Sequence, residues 1–259
     1  LKMLFKNFTI VIDKDMKFDF YLKNKFRNRH KWGRKEKSAI YLKIEITDEG
    51  TFEAAKRIKS FGIKEVCALC SASPVNPGGG GSKNNKIGQE ETLVRQSSLY
   101  SSLIRGKKMY SYNKKNKSPF NSHYMIYSPN VVVIRDKDYD LIYPFRVSVI
   151  SASAVNNSEL VKLDPFGTKG GNVYRCMKNR CRKILELAIA MDNKAIVLSA
   201  FGCGVFGNRP DDVSSIFKEL LVDEFYGLFF KKIIFAIKGK PGQKNLNLEA
   251  FNSAFHLHH

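Results

Sequence analysis

Residues 76–91 read NPGGGGSKNNKIGQEE: four consecutive glycines, a seven-residue polar stretch, then Gln89, Glu90 and Glu91. Glycines reach positive φ and expose backbone N–H groups at distances that side chains would block, so Gly78, Gly79, Gly80 and Gly81 suit a loop that approaches an anion. GGGGS is also the commonest flexible linker, but linkers join domains. Here the apolar run of residues 66–69 leads in. Residues 89–103 lead out with Leu93, Ser97 and Tyr100 at three- and four-residue spacing. The stretch is therefore a strand–loop–helix turn with two carboxylates in the first helical turn.

The same alternation runs through most of the chain. A helix is predicted at 51–61, a buried strand at 66–70, a helix at 89–103 and strands at 131–135 and 145–151. A long helix follows at 174–191, then a strand at 195–200, a helix at 211–225 and a strand at 231–237. Continuous apolar strands alternating with amphipathic helices give an α/β fold, a mixed, mainly parallel sheet sandwiched between helices. Ligands of such sheets collect at the carboxyl ends of the strands. The first ~50 residues read as strands at 8–13 and 39–46 with basic loops, an extension packing on the main domain of 51–259. Residues 106–121 and 156–171 read as excursions from the core.

A second glycine loop, AFGCGVFGNRPDD at 200–212, also joins a strand to a helix, whose start is marked by Asn208, Pro210 and Asp211. Its Gly202, Gly204 and Gly207 form GxGxxG, yet no acidic residue stands about twenty positions on, which argues against a dinucleotide-binding turn. No glycine-rich segment ends in Gly-Lys-Ser/Thr, so a P-loop is excluded.

Charge points to a polyanionic partner. Lys and Arg number 44 against 24 Asp and Glu, for a net charge of +20. Much of the excess lies in residues 23–37 and 105–117, where Phe26, Trp32, Tyr110 and Tyr112 interleave the cations. That pattern fits a backbone-tracking, base-stacking surface for nucleic acid, and equally a set of solvated loops. No stretch has the ~20 apolar residues of a membrane span and no secretory signal is present, so an intracellular protein, cytoplasmic or nuclear and monomeric, is expected. Five cysteines read as free thiols of a reducing compartment. Cys67 and Cys70 form a CxxC, but in a predicted strand, and Cys176 and Cys181 fall in a predicted helix with the wrong spacing for a zinc knuckle. Neither metal nor cofactor is expected.

The chain resembles the microbial-type poly(ADP-ribose) glycohydrolases, a macrodomain family with a glycine triplet followed by a QEE signature. Gly79, Gly80 and Gly81, seven residues, then Gln89, Glu90 and Glu91 match that signature, and the match continues through RQSSLY (95–100), YSPNVVVIRD (127–136), ISASAVN (150–156), LSAFGCGVFGNRPDDV (198–213) and FAI (235–237). The resemblance runs from about Thr51 to the C-terminus. It implies a macrodomain-like fold that binds ADP-ribose across both loops, with the diphosphate on their N–H groups. It also implies that Glu91 acts as general acid and then base on the glycosidic bond, and that Glu90 holds ribose hydroxyls. Gly79, Gly80, Gly81, Gln89, Gly202 and Gly207 would line the site. Gly204, Val205 and Phe206 would wrap the diphosphate, with Phe206 over the distal ribose. The chain departs from the family where an Asn usually precedes the glycine loop: CALCSASPVN places Cys70 near that position.

The expected activity is hydrolysis of ribose–ribose bonds in poly(ADP-ribose), free or as ADP-ribosylated protein. The alternatives are a non-catalytic ADP-ribose-binding macrodomain, a hydrolase for another conjugate such as ADP-ribosylated nucleic acid, and a nucleic-acid-binding protein whose glycine loops are structural.

Overall fold

A computed structural model describes residues 9–18, 22, 24–27, 31–80, 88–164 and 170–255. The elements in chain order are β1 (Ile10–Ile12), α1 (Arg34–Tyr41), β2 (Ile44–Thr47), α2 (Thr51–Ser60), β3 (Val66–Ser71), α3 (Gln89–Gln96), α4 (Leu99–Leu103), α5 (Lys107–Asn116), β4 (Met125–Arg135), β5 (Leu141–Ala152), α6 (Asn157–Leu163), α7 (Gly170–Ala190), β6 (Ala195–Leu198), α8 (Pro210–Lys218), β7 (Lys232–Ala236) and α9 (Leu246–Phe255). No helix among the described residues is long and apolar enough to cross a membrane.

The strands form one seven-stranded sheet in the order β1-β4-β5-β3-β6-β7-β2. Pairing is parallel from β5 through β3, β6 and β7 to β2, and antiparallel on either side of β4, so β4 alone runs against the rest. This is the mainly parallel sheet expected from the sequence. Side chains of β3 alternate strictly between two apolar layers: Cys67 and Leu69 join the layer under α7, α8 and α9, while Val66, Ala68 and Cys70 join the layer under α2 to α5. Burial on both faces is why these strands read as unbroken apolar runs. Cys67 and Cys70 therefore point to opposite sides of the sheet and cannot share an ion.

Three elements differ from the sequence reading, each for a tertiary reason. Residues 39–41 close helix α1 rather than opening a strand. Glu36 accepts a hydrogen bond from Gly33 N at 2.8 Å, which caps that helix, and Ile40 packs fully buried against Gly227. Residues 89–103 make two helices, because the chain leaves α3 to meet a bulge in β4. There Ser98 N donates to Val132 O and Val132 N donates to Ser98 Oγ, both at 3.0 Å. Residues 106–121 are no excursion: α5 buries Met109, Tyr110 and Asn113 in the core. The interleaved aromatics also turn inward. Phe26 and Trp32 make edge or tilted contacts with one another and with Phe225, Tyr226 and Phe229, and Tyr112 packs edge-on against Tyr124.

Strand order fixes where a site can form. β5, β3 and β6 are neighbours, and their carboxyl ends release the chain into residues 153–156, 72–88 and 199–209 in turn. Both glycine loops and the start of α6 thus emerge side by side on one edge.

Candidate active site

The two adjacent carboxylates of α3 have opposite environments, since consecutive helical positions are ~100° apart. Glu90 faces inward and is 3 % exposed. Its Oε2 accepts from Ser73 N at 2.6 Å and its Oε1 from Gly78 N at 3.1 Å. Burial pushes its pKa up to about 8, with the neighbouring Glu91 charge adding to the rise and the two N–H donors opposing it. Glu91 is half-buried at the loop mouth. Its Oε1 accepts from Gly80 N at 3.0 Å, and its Oε2 accepts from Gly88 N at 3.1 Å, closing the helix N-terminus as a capping box.

The first glycine loop is thereby a holder for carboxylates. Gly78 N and Gly80 N are taken by Glu90 and Glu91, and Gly79 N donates to Asn76 O at 3.1 Å. The sequence reading expected these N–H groups to cradle phosphate; those of Gly78, Gly79 and Gly80 meet protein acceptors. Gly79 has φ +90°, and a Cβ placed there would overlap the Glu91 carboxylate, so the bare backbone is what lets Glu91 sit where it does. Gly80 has no such neighbour. Gly81 lies outside the described residues.

Gln89 is equally committed. Its Oε1 accepts from Ser71 N at 2.8 Å, while Nε2 donates to Thr51 Oγ1 at 2.8 Å and to Leu69 O at 3.1 Å. The amide thus staples α3 to β3 and to the start of α2. Cys70 is fully buried in the layer beneath α3 and α5, where burial and then the Glu90 charge drive its thiol pKa well up. It does not line the mouth, and Asn76 is exposed.

The second loop is built the other way round. Its carbonyls are used: Gly207 N donates to Gly204 O at 3.0 Å, Ser158 Oγ to Val205 O at 3.1 Å, and Ser158 N to Phe206 O at 3.0 Å. Among the described residues, the backbone N–H groups of Gly204, Val205 and Phe206 meet no protein acceptor. Three successive backbone donors without a protein acceptor, in the loop that follows β6 beside β3, are a feature that suits an anion. Asn208, buried, fixes the loop by donating from Nδ2 to Val155 O at 2.8 Å and Gly202 O at 3.0 Å, and Asn157 Nδ2 reaches Gly207 O at 3.1 Å. Gly202 (φ +78°) and Gly207 (φ +63°) supply left-handed turns, and a Cβ on Gly207 would overlap Ser158 Oγ. Val205 is exposed, and Phe206 packs half-buried on the core.

Sequence reading missed the braces: Ser73, Ser71, Thr51, Asn157 and Ser158, which are ordinary polar residues until the fold brings them to the loops. It also missed Arg180. This fully buried guanidinium donates to Ser153 O at 2.7 Å, to Phe120 O at 2.9 Å and to Asn121 O at 3.3 Å, tying residues 118–123 to the end of β5. It also donates to His123 Nδ1 at 3.3 Å. Burial and the Arg180 charge hold His123 down at about 4.

The chain as a whole is similar to known proteins. The family model of the microbial-type PARG catalytic domain matches residues 9–136. That match begins well before Thr51, where the motif resemblance was first legible. Among solved structures, the poly(ADP-ribose) glycohydrolase of Deinococcus radiodurans in complex with ADP-ribose is 30% identical, with 95% of this chain and 93% of that chain covered and a TM-score of 0.78. The Thermomonospora curvata poly(ADP-ribose) glycohydrolase is 30% identical over 95% and 85% of the two chains, with a TM-score of 0.80. The T. curvata enzyme bound to the inhibitor ADP-HPD is 29% identical over 95% and 84%, with a TM-score of 0.78. No curated protein matches the sequence.

Proposed function

The chain belongs to the microbial-type poly(ADP-ribose) glycohydrolase family, and on that premise we propose that it hydrolyses the ribose–ribose O-glycosidic bonds of poly(ADP-ribose), releasing ADP-ribose. The observation that carries the reading is the division of labour between the loops. One holds a half-buried carboxylate at its mouth, and the neighbouring one offers three free N–H donors to a diphosphate.

Cleaving a glycosidic bond requires a proton for the departing ribose oxygen, stabilisation of an oxocarbenium-like centre, and a base for water. Glu91 is the carboxylate with access to substrate, and it takes the acid and then the base role. Glu90 is better read as its anchor than as a ribose ligand, because it is buried where Glu91 is half-buried at the mouth, although the oxygens of both accept from backbone N–H groups. Gln89 is likewise a positioning residue. The N–H groups of Gly204, Val205 and Phe206 take the diphosphate, whose charge suits preorganised backbone dipoles. Phe206 covers the distal ribose. The protein acts as a monomer on poly(ADP-ribose), free or attached to protein, inside the cell.

The deciding experiment is release of ADP-ribose from purified poly(ADP-ribose), with Glu91→Gln as control. Loss of a general acid/base is worth roughly 10²–10⁴-fold in rate, while ADP-ribose affinity is expected to persist. Affinity without turnover in the unsubstituted protein would instead make it a binding module. Turnover undiminished in Glu91→Gln would sink the assignment of the acid.

A further inference from the structure

Helix α5 has a strongly one-sided charge. Residues 105–117 carry six cations and no acid. Met109, Tyr110 and Asn113 point into the core, leaving Lys107, Lys108, Ser111, Lys114 and Lys115 exposed along the outer face, with Arg105 and Lys117 exposed at its ends. Lys108 pairs with Asp13 at 2.6 Å, but among the described residues no acid pairs with Arg105, Lys107, Lys114, Lys115 or Lys117. Lys114 and Lys115, in the last turn, favour the helix dipole, whereas Lys107 and Lys108 in the first turn oppose it. Helix stability alone does not account for such a row.

Its position is equally specific. Inward, α5 sets Tyr110 close to Glu90, whose charge adds to burial in raising the Tyr110 pKa. From its C-terminus the chain runs through residues 118–124 to the start of β4, which pairs with the end of β5 at Met125↔Ala152. That connection is pinned to the edge carrying the site. Asn156 N donates to Pro119 O at 2.7 Å, Asn121 Nδ2 to Ala154 O at 2.7 Å, and Arg180 binds the carbonyls of residues 120, 121 and 153. Helix α5, with its row of lysines outward, is thus held at the edge of the sheet that carries the site, on the side of β4 and β5.

Resting on the hydrolase reading above, we propose that the outer face of α5 is a binding strip for polymer beyond the unit being cleaved, with Lys107, Lys114, Lys115 and Lys117 pairing with the diphosphates of neighbouring ADP-ribose units. Phosphates suit this face better than bases do: Tyr110 is buried and Tyr112 is committed to Tyr124, so α5 presents no free aromatic platform on which a nucleic-acid base would stack.

The test compares kcat/KM of the unsubstituted protein and of the Lys107→Gln/Lys114→Gln/Lys115→Gln/Lys117→Gln variant on long poly(ADP-ribose) and on two- or three-unit oligomers, over a range of salt. Four lost phosphate contacts should make the salt dependence on long polymer shallower by about 3 in the log–log slope, at roughly 0.7 per phosphate of a single strand. At low salt, at least a tenfold loss on long polymer with unchanged cleavage of the oligomers is expected. Equal loss on both substrates, or no loss on either, overturns the strip while leaving the hydrolase intact. No cleavage of either substrate by the unsubstituted protein removes the hydrolase reading itself, and the inference with it. An oligonucleotide that binds the unsubstituted protein as tightly as the polymer does, and is released by the substitutions, would reassign the face to nucleic acid.

Discussion

Gly79→Ala is the sharpest probe of how the first loop works. The substitution adds one methyl group at a residue with φ +90°, where that methyl would overlap the Glu91 carboxylate. Two costs follow. A non-glycine residue in the left-handed region costs ~1–2 kcal/mol. Displacing Glu91 weakens its bonds to Gly80 N and Gly88 N, contacts to a half-exposed carboxylate worth on the order of 1 kcal/mol. The sum, about 2–3 kcal/mol, lowers Tm by roughly 5–10 °C in a chain of this size. The rate should fall as well, because a catalytic group moved by about 1 Å costs on the order of 10²-fold. ADP-ribose affinity should survive, since the free donors of Gly204, Val205 and Phe206 are untouched. Gly80→Ala is the matched control, with open space around its Cβ and no positive φ. Melting curves, ADP-ribose titration and polymer hydrolysis on both variants test the reasoning. If Gly79→Ala hydrolyses polymer at the unsubstituted rate, or if Gly80→Ala is as damaging, the carboxylate-holder account is wrong.

The pKa of Glu90, raised to about 8, implies that the folded state holds a proton the unfolded chain has released between about pH 4.5 and 8. Stability should therefore fall as pH rises through that window, and Glu90→Gln should flatten the fall in melts run from pH 5 to 9. His123, held at about 4, has the opposite limb: the unfolded chain binds a proton the fold refuses, so stability is lost as pH drops below about 6.5, and His123→Phe should soften that loss. Arg180→Met leaves the carbonyls of residues 120, 121 and 153 without their buried donor, and a loss of about 3–5 kcal/mol is expected by chemical denaturation. Gly207→Ala strains a φ of +63° and pushes on Ser158 Oγ, disturbing the diphosphate cradle; ADP-ribose affinity by calorimetry should fall about tenfold, and unchanged affinity would argue against that cradle.

Much of this architecture was legible because its signals are local. VCALC in β3 and AIVL in β6 are apolar runs ending near glycine loops, and they are the strands that carry the site. The inward and outward faces of Glu90 and Glu91 follow from helical geometry alone, although which one faces inward needed the fold. What stayed hidden depends on partners far apart in the chain. Ala39, Ile40 and Tyr41 read as strand by composition, yet Gly227, nearly 190 residues away, receives Ile40 as the side of a helix. Ser97 and Ser98 look like ordinary helix surface until the bulge of β4 offers them backbone partners. The motif resemblance names glycines as ligand contacts, but it cannot tell a loop whose N–H groups are spent on its own carboxylates from one whose donors are free. Arg180 gives no sequence signal, because an arginine on a long helix is ordinarily solvated and its three carbonyl acceptors lie 27 to 60 residues away.

The sheet order carries a last consequence for how the chain survives as a solute. β1 caps one margin of the sheet against β4, β2 caps the other against β7, and both come from the first ~50 residues. Trimming the chain at Thr51 would strip both margins at once. It would bare the backbone of β7, whose Ile233, Ile234 and Phe235 side chains are fully buried, together with the β4 partner of residues 10–12. Unpaired apolar strands of that kind template growth by further chains. The truncated protein is thus expected to accumulate as insoluble aggregate, with the leading segment acting as selvedge to the whole weave.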